Sequence, residues 1–301
     1  MTLGAISMLK NESAQARKTL LGLVKNRSSE DAMDWLSKVS TKNIEEIDWS
    51  QLAQHFDQKY LIAGFKERHE ATLGTKYGDM PIGHWRVQHA AKVFLMATLA
   101  SLEGHGFQKL FDWYDRGETQ TRKAALCAIN LTDDDDVSAA MNLIHDAGRT
   151  YLDDLMTAAW CNHPFATQHL SDDEYRNAVL KALFCNLPLD GFLGLHDRAD
   201  ASLAKSLNDF ADEREAAGRP VPDVLWPVLA LYPPSGLVAR LLGRLEHPLA
   251  EQRLVAARSL ANAGDERTRS FLVERKERED DPQVIKAIER ALSLLDAQSK
   301  S

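Results

Sequence analysis

The amino-acid sequence predicts an all-α fold, an irregular HEAT-like α-solenoid of stacked antiparallel helix pairs that is most regular at its C-terminal end. Three observations lead to this prediction. Apolar residues recur at helical spacing along the chain, and almost no segment alternates apolar and polar residues as half-buried strands do. Glycines and prolines interrupt these helical runs. Several short windows of sequence also resemble one another, as expected of a repeat protein.

These windows align without gaps. Each has a small or β-branched residue at its fourth position, a small residue at its eighth, and Ile or Leu at its ninth. Small residues at these places let a neighbouring helix approach closely, as stacked helix pairs require. The windows are TRKAALCAI from Thr121, YRNAVLKAL from Tyr175, QRLVAARSL from Gln252 and VIKAIERAL from Val284. Their spacing is irregular against the HEAT period of about 40 residues, so a non-repetitive helical bundle remains the alternative.

Helix boundaries are clearest towards the C-terminus. His247-Pro248 and Asp281-Pro282 each open a helix pair, and a turn is expected at residues 262–265. Gly218 and Pro220 form a helix stop, because glycine can turn left-handed and proline cannot continue the helix. We therefore expect three regions: an irregular N-terminal helical region (1–110), central repeats that carry the site (111–232) and C-terminal HEAT-like repeats (233–301).

The composition is that of a soluble protein. The chain has 301 residues, of which 44% are hydrophobic and 27% charged, and its net charge of -8 disfavours binding to nucleic acid or anionic lipid. No apolar run approaches the roughly 18 residues of a membrane span, and the N-terminal sequence does not resemble a leader peptide. Cys127, Cys161 and Cys185 lack a CxxC spacing and are expected to be core thiols in a reducing cytoplasm. We expect a cytoplasmic protein that does not insert into membranes.

Motifs of catalysis and metal binding do not occur in the sequence. The glycine-containing stretch Leu73–Trp85 is predicted to be a long helix–helix connection, because it lacks the features of a phosphate loop. The acidic run Asp133–Asp136 lacks the glycine and alternating ligands of a calcium loop, so it is predicted to cap the following helix. His84, His89 and His105 are too irregularly spaced for a helical metal face. The sequence predicts no metal site and no cofactor.

Lys181 lies inside an otherwise apolar run. On a helix that begins near Asp172, Lys181 shares a narrow polar stripe with Glu174 and Asn177. Such a stripe is usually a solvent-exposed surface, but in a solenoid the inner row of helices lines a groove where ligands bind.

A second helix raises a similar question. Leu203, Leu207 and Phe210 make a buried stripe whose continuation reaches Arg214. An arginine on the apolar side of a helix must pair with a carboxylate, bind an anionic ligand or extend to the edge.

The two helices and the residues beside them contain a characteristic set: Asn177 with Val179–Phe184, Gly194-Leu195, Arg198, Phe210-Ala211, Glu213-Arg214 and Ala216–Arg219. This set resembles the signature of the EboA family. Arg149-Thr150 and Asn162 with Pro164-Phe165 resemble two further family patches, so the likeness covers roughly residues 149–226.

Four positions depart from the family pattern. Tyr151 and Phe210 stand where members tend to have Asn and Tyr, His163 separates an Asn-Pro pair, and Glu215 stands where an aromatic is frequent. The resemblance implies a role in metabolite traffic within bacterial secondary-metabolite clusters. The neighbours in such clusters are a sugar-phosphate-cyclase-like enzyme, metal-dependent hydrolases and a membrane prenyltransferase.

The sequence and the resemblance together favour a helical-repeat binding or scaffold protein. It would hold a small polar or anionic metabolite, or a partner enzyme of the cluster, in its groove. The residues assigned to binding are Arg149, Asn162, Asn177, Lys181, Arg198, Glu213, Arg214 and Arg219. The alternative is an enzyme in which Glu213 or Asp209 acts as general base while Lys181 and Arg214 hold an anionic substrate. Pure scaffolding is a third hypothesis, and a DNA-reading helical repeat, disfavoured by the acidic balance, is a fourth.

Overall fold

Helices make up most of the described chain. The structure, a computed structural model, describes residues 3–41, 71–102 and 104–298. The chain forms two units, Met1–Ala178 with Gly191–Leu193 and Val179–Asp190 with Gly194–Ser301. The prediction of a mostly helical protein is confirmed. The solenoid arrangement and the division into three regions stay predictions, and residues 42–70 of the N-terminal region lie outside the described residues.

The first unit contains a small hairpin among its helices. Its elements are α1 (Leu3–Lys25), α2 (Glu30–Ser40), β1 (Thr72–Thr75), β2 (Gly78–Pro81), α3 (Val87–Ala100), α4 (Gly106–Arg116), α5 (Thr119–Ala128), α6 (Val137–Arg149), α7 (Asp153–Trp160) and α8 (Pro164–His169). A short 3-10 turn, Ile129–Leu131, follows α5, and α9 (Asp172–Phe184) begins in this unit.

The second unit consists of the end of α9 and the remaining helices. These are α10 (Leu195–Arg198), α11 (Ala201–Ala216), α12 (Leu225–Leu229), α13 (Leu237–Leu245), α14 (Ala250–Ala263), α15 (Arg269–Glu277) and α16 (Pro282–Gln298). A 3-10 turn, Glu266–Thr268, precedes α15. Within the described ranges, no helix combines the length and the apolar character that crossing a membrane requires.

α3 forms the centre of the first unit. Most of its residues are buried, and it packs against α1, α2, α4 and α5. α5 packs in turn against α7, and its residues Ala124, Ala125 and Ala128 are fully buried. Small side chains at these positions permit the close helix approach that the first repeat window predicts.

The hairpin corrects two predictions, the all-α fold and the helix–helix connection over Leu73–Trp85. β1 and β2 pair antiparallel with Leu73 opposite Met80, and both side chains are buried. Gly78 has a φ of 112°, which is accessible to glycine after the two-residue loop. Each strand has only four residues and one buried side chain, so alternation is too short to be visible in the sequence.

The predicted helix boundaries are largely confirmed. The carboxylate of Asp136 accepts the backbone N–H of Ala139 at 3.1 Å and caps α6. At the end of α11, Gly218 has a φ of 65°, and the N–H of Arg219 donates to the carbonyl of Arg214 at 2.8 Å. This six-residue closure is a Schellman motif and ends the helix where the sequence predicts.

The C-terminal helices also begin and end as predicted. α14 ends at Ala263 and is capped by Gly264, which has a φ of 61°, and α16 begins at Pro282. α14 packs against α13 and α16, and α15 packs on α16. Buried residues on the facing sides include Ala256, Leu260 and Ile288.

Candidate functional site

A cavity of about 540 Å³ lies in the first unit. We call it the α3–α5–α7 cavity, after the helices that contribute most of its wall. Its lining is Met80, His84, Trp85, Arg86, Gln88, His89, Lys92, Gln120, Lys123, Cys127, Asp154, Thr157, Ala158, Cys161 and Asn162. Its volume and its mixture of apolar and polar groups are typical of sites for small molecules.

Helical periodicity explains how this lining is assembled. Residues three, four or seven apart lie on one face of a helix, so each of the three helices presents a single face to the cavity. The faces are Gln88, His89 and Lys92 on α3, Gln120, Lys123 and Cys127 on α5, and Asp154, Thr157 and Ala158 on α7, with Cys161 directly after it. Because α5 packs against both α3 and α7, it holds these faces around one space.

Positive charge predominates in the cavity wall. Arg86, Lys92 and Lys123 contribute cations, and Asp154 is the one carboxylate among the described lining residues. The Lys123 Nζ atom lies 2.9 Å from Asp154 Oδ1. The Lys92 Nζ atom lies 3.9 Å from Glu118 Oε1, which is too long for a hydrogen bond.

The carboxylate of Glu118 also caps a helix. Its carboxylate accepts the backbone N–H of Gln120 at 2.7 Å and of Thr121 at 2.9 Å, and thereby caps α5. Since these bonds engage both carboxylate oxygens, the ion pair with Lys92 is the weaker of its interactions. The side chain of Lys92 is only 7% exposed, so a cation is held in a largely buried wall.

Two histidines border the same space and are neutral at physiological pH. Burial, with the charges of Lys123, His84 and Lys92, lowers the pKa of His89 to about 3. Burial and then the charge of Lys123 lower the pKa of His84. The His89 ring contacts Trp85 edge to face, with 4.9 Å between ring centroids. Each neutral imidazole offers one N–H donor and one acceptor nitrogen.

The cysteines of the cavity are structural. Burial raises the pKa of the Cys127 thiol to about 12, so it is protonated and a poor nucleophile. A Cβ atom on Gly191 would lie 2.6 Å from the Cβ of Cys161, so the close approach of these two segments requires glycine. Both cysteines are buried, which confirms their predicted place in the core, whereas Cys185 is only half-buried.

The turn after α7 is fixed by backbone and imidazole hydrogen bonds. The N–H of Asn162, a residue with a φ of 54°, donates to the carbonyl of Gly191 at 2.6 Å. His163 Nδ1 accepts the N–H of Ala166 at 3.1 Å, and its Nε2 donates to the carbonyl of Leu126 at 2.9 Å. His163, one of the departures from the family pattern, is therefore the N-cap of α8.

Of the sequence-predicted binding residues, Asn162 lines the α3–α5–α7 cavity. Arg149 at the end of α6 and Asn177 on α9 are exposed in the first unit. Glu174, which shares the stripe with Asn177, forms a capping box with Ser171, whose N–H donates to the Glu174 carboxylate at 2.8 Å. Part of the polar stripe therefore serves helix capping.

The other predicted residues lie in the second unit. Lys181 and Arg198 are half-buried, while Glu213 and Arg219 are exposed. Arg214 Nε donates to the carbonyl of Pro220 at 2.7 Å, and its guanidinium lies 5.4 Å from the centroid of the Phe210 ring. These contacts satisfy the arginine within its own helix end and agree with a structural role. Phe184, at the end of α9, is 62% exposed, so the apolar run around Lys181 is not buried throughout.

Arg219 also borders a second concave surface, of about 570 Å³, in the second unit. There Arg244 donates to Gln252 Oε1 at 2.6 Å, and the amide of Gln252 donates to Asp223 at 2.9 Å. Most of these polar groups are paired with one another, and Arg219 itself is exposed, so this surface is a weaker candidate than the α3–α5–α7 cavity. In the described part of the chain, no group of histidine, cysteine and acidic side chains could hold a metal ion.

Comparison with known proteins supports the resemblance seen in the sequence. The family model described as "Metabolite traffic protein EboA" matches residues 17–230, which is more than two thirds of the chain and includes the whole lining of the cavity. Searches of curated proteins and of solved structures returned no significant match.

Proposed function

Because the chain belongs to the EboA family of metabolite traffic proteins, we propose that it binds a small polar metabolite in the α3–α5–α7 cavity and carries it without chemical conversion. The observation that supports this most directly is the cavity itself. It combines about 540 Å³ of space with apolar walls and several polar groups, and it lies inside the region that the family model matches.

The polar groups suit reversible binding better than turnover. Neutral histidines and lysine ammonium groups donate hydrogen bonds, and the buried thiol of Cys127 is protonated. The enzyme alternative assigns the general base to Glu213 or Asp209, and both are exposed. Asp209 forms an ion pair of 2.9 Å with Lys205 one helical turn away, which favours a surface role.

The proposal also includes three properties that the sequence predicts. These are a solenoid of stacked helix pairs, a cytoplasmic location and exchange of the metabolite with other proteins of a biosynthetic cluster. Such partners would be a cyclase-like enzyme, metal-dependent hydrolases or a membrane prenyltransferase. Lys181, Arg198 and Arg214 become candidates for partner contacts in this view, since they lie in the second unit.

The experiment is retention of a small molecule from an extract of the natural host. Purified protein is incubated with the small-molecule fraction, separated by gel filtration, denatured, and the released compounds are identified by mass spectrometry. The variant Ala158→Phe fills the cavity, since Ala158 lines it, and should release nothing. The control Ala297→Phe adds the same ring at an exposed position of α16 and should retain what the wild type retains.

Either of two results would contradict the proposal. One is a wild-type protein that retains no compound above the level of the filled-cavity variant. The other is a retained compound that leaves the protein chemically altered, which would favour the enzyme alternative. Thermal unfolding of Ala158→Phe checks that its loss of ligand does not come from loss of fold.

A further inference from the structure

We infer that the ligand of the α3–α5–α7 cavity is a hydroxylated aromatic compound, whose ring packs on the buried part of the wall and whose hydroxyl group bonds to His89. This ligand class rests on the proposed function and names the chemical type of the metabolite. Three features of the wall select it: its gradient of burial, its polarisable side chains and its hydrogen-bonding groups. None of them depends on how the lysines of the wall are paired.

The lining of the cavity divides into a buried floor and an exposed rim. Apart from Lys92, the buried lining residues are apolar and at most 9% exposed, and we call them the floor: Met80, Trp85, Cys127, Ala158 and Cys161. The exposed lining residues are all polar, and we call them the rim: His84, Arg86, Gln120 and Asp154. A ligand that fills this space therefore needs an apolar body for the floor and a polar group nearer the rim.

The floor is rich in polarisable groups. It contains a thioether from Met80, an indole ring from Trp85 and thiols from Cys127 and Cys161. Sulfur atoms and aromatic rings gain specific contacts with an aromatic ring, beyond those that a saturated group of the same size would make. Because burial raises the pKa of Cys127 to about 12, its thiol presents a neutral sulfur. The floor therefore favours an aromatic body over an aliphatic one.

His89 provides a hydrogen-bonding group beside the floor. Its half-buried ring lies edge to face with Trp85, with 4.9 Å between the ring centroids. Its ring nitrogens form no hydrogen bond with a residue of the described ranges. Because its pKa is about 3, the imidazole is neutral and offers one donor and one acceptor. Polar groups in such a setting normally have a partner, and we expect the ligand to supply it.

Two further half-buried groups of the wall both donate and accept hydrogen bonds. They are the hydroxyl of Thr157 and the carboxamide of Asn162. A hydroxyl group on the ligand matches such groups, since it too can donate and accept, whereas an ether oxygen can only accept. A hydroxyl on the aromatic ring therefore suits the half-buried part of the wall, between the floor and the rim.

The test is calorimetric titration of the full chain at pH 7.5 with two-ring probes of matched shape. 2-Naphthol has both the aromatic ring and the hydroxyl, 2-methoxynaphthalene lacks the donor, and decahydro-2-naphthol carries its hydroxyl on a saturated body. These comparison compounds are of similar or greater apolarity, so a non-specific apolar surface would not prefer 2-naphthol. We expect 2-naphthol to bind about threefold or more tightly than either of them, and this comparison needs no variant to fold.

The substitution His89→Phe isolates the hydrogen bond. It keeps a planar ring against Trp85 and removes both ring nitrogens. The affinity for 2-naphthol should fall by about fivefold, while that for 2-methoxynaphthalene should not change. His196→Phe makes the same replacement at an exposed position of α10 and should alter neither affinity. The filled-cavity variant Ala158→Phe should bind none of the probes, which would locate binding in this cavity.

Three results would overturn this ligand class. One is failure of 2-naphthol to bind, and another is equal or tighter binding of either comparison compound. The third is a His89→Phe protein that binds 2-naphthol as the wild type does or loses affinity for both naphthalene probes equally. The proposed function is judged separately by retention of a compound from the extract. A retained compound without an aromatic ring would refute the aromatic ligand and leave the binding function standing.

Discussion

The ammonium group of Lys123 on α5 lies 2.9 Å from a carboxylate oxygen of Asp154 on α7, and both residues line the same cavity. This ion pair is partly exposed, with side-chain exposures of 24% and 57%. Pairs of this kind stabilise a protein by about 1 kcal/mol or less, so the bond can be broken or shared at little cost. Both side chains are therefore available to a polar ligand that enters the cavity.

Loss of this ion pair should cost little stability. In Asp154→Asn, Lys123 keeps its charge and loses its partner, so the free energy of unfolding should fall by about 1 kcal/mol or less, as is usual for a partly exposed pair. Denaturant unfolding measures the change, and Asp153→Asn, an exposed neighbour in the first turn of α7, is the matched control. A loss of several kcal/mol in Asp154→Asn would contradict this account of the pair.

The pKa of His84 should respond to Lys123. The positive charge of Lys123 contributes to lowering this pKa, after burial, because it disfavours a second cation nearby. In Lys123→Met the pKa of His84 should therefore move upwards, towards its ordinary value. An NMR titration of the histidine ring protons follows it directly, with Lys38→Met as a control in which it should not move. An unchanged His84 pKa in Lys123→Met would show that the two groups do not sense each other.

The buried His163 should make the first unit sensitive to acid. Burial lowers its pKa to about 4 in the folded protein, while the unfolded chain has the ordinary value near 6.5. Between these values the unfolded state binds a proton that the folded state does not, so stability is lost as the pH falls through this range. The difference corresponds to about 3 kcal/mol between pH 7 and pH 4.

The substitution His163→Asn separates this effect from other titrations. Asparagine can still cap α8, but it loses the bond to the Leu126 carbonyl, so we expect a loss of about 1–3 kcal/mol at pH 7.5. Denaturant unfolding should also show a flatter pH dependence between pH 6.5 and 4 than in the wild type. His105→Asn, at an exposed position with a φ of 66° that asparagine tolerates, should keep the wild-type slope. A parallel slope in His163→Asn would contradict the assignment.

Local signals in the sequence were sufficient for most helix boundaries. Asp136 and Gly218 act through their own backbone neighbourhoods, as an N-cap and as a left-handed C-cap, and such effects are visible in a few adjacent residues. The hairpin could not be predicted from such local signals. Its two strands, which pair with Leu73 opposite Met80, are too short to show an alternation of apolar and polar residues.

The cavity could be predicted only in part. Lys92 stands in an apolar run, AAKVFLMATLA, and carries the same signal that draws attention to Lys181. What the sequence does not show is that α5 brings Lys123 and α7 brings Asp154 to the same space, because helix packing joins residues far apart in the chain. The family resemblance is strongest over residues 149–226. It therefore placed the predicted binding residues there and not on α3 and α5, which contribute much of the cavity wall.

The second unit contains a buried carboxylate whose removal should be costly. The side chain of Glu279 is fully buried, and its oxygens accept hydrogen bonds from Arg253 at 2.7 Å and from Arg275 at 2.9 Å. The N–H of Asp281 donates to it at 3.0 Å. Mainly through the bond from Arg253, these donors lower the pKa of Glu279 to about 2.

Glu279→Gln should therefore destabilise the protein by about 3–5 kcal/mol at pH 7, because it leaves two arginines without their shared carboxylate. In the wild type the contribution of Glu279 is fully present above its ordinary pKa near 4.5 and is lost as the pH falls towards 2. Denaturant unfolding of both proteins at pH 7 and pH 3 measures this, and the difference between them should shrink at the lower pH. Glu277→Gln, at the exposed last residue of α15 and two residues before Glu279, should change stability by less than about 0.5 kcal/mol. Equal effects of the two substitutions would mean that the network around Glu279 contributes no more than a surface carboxylate.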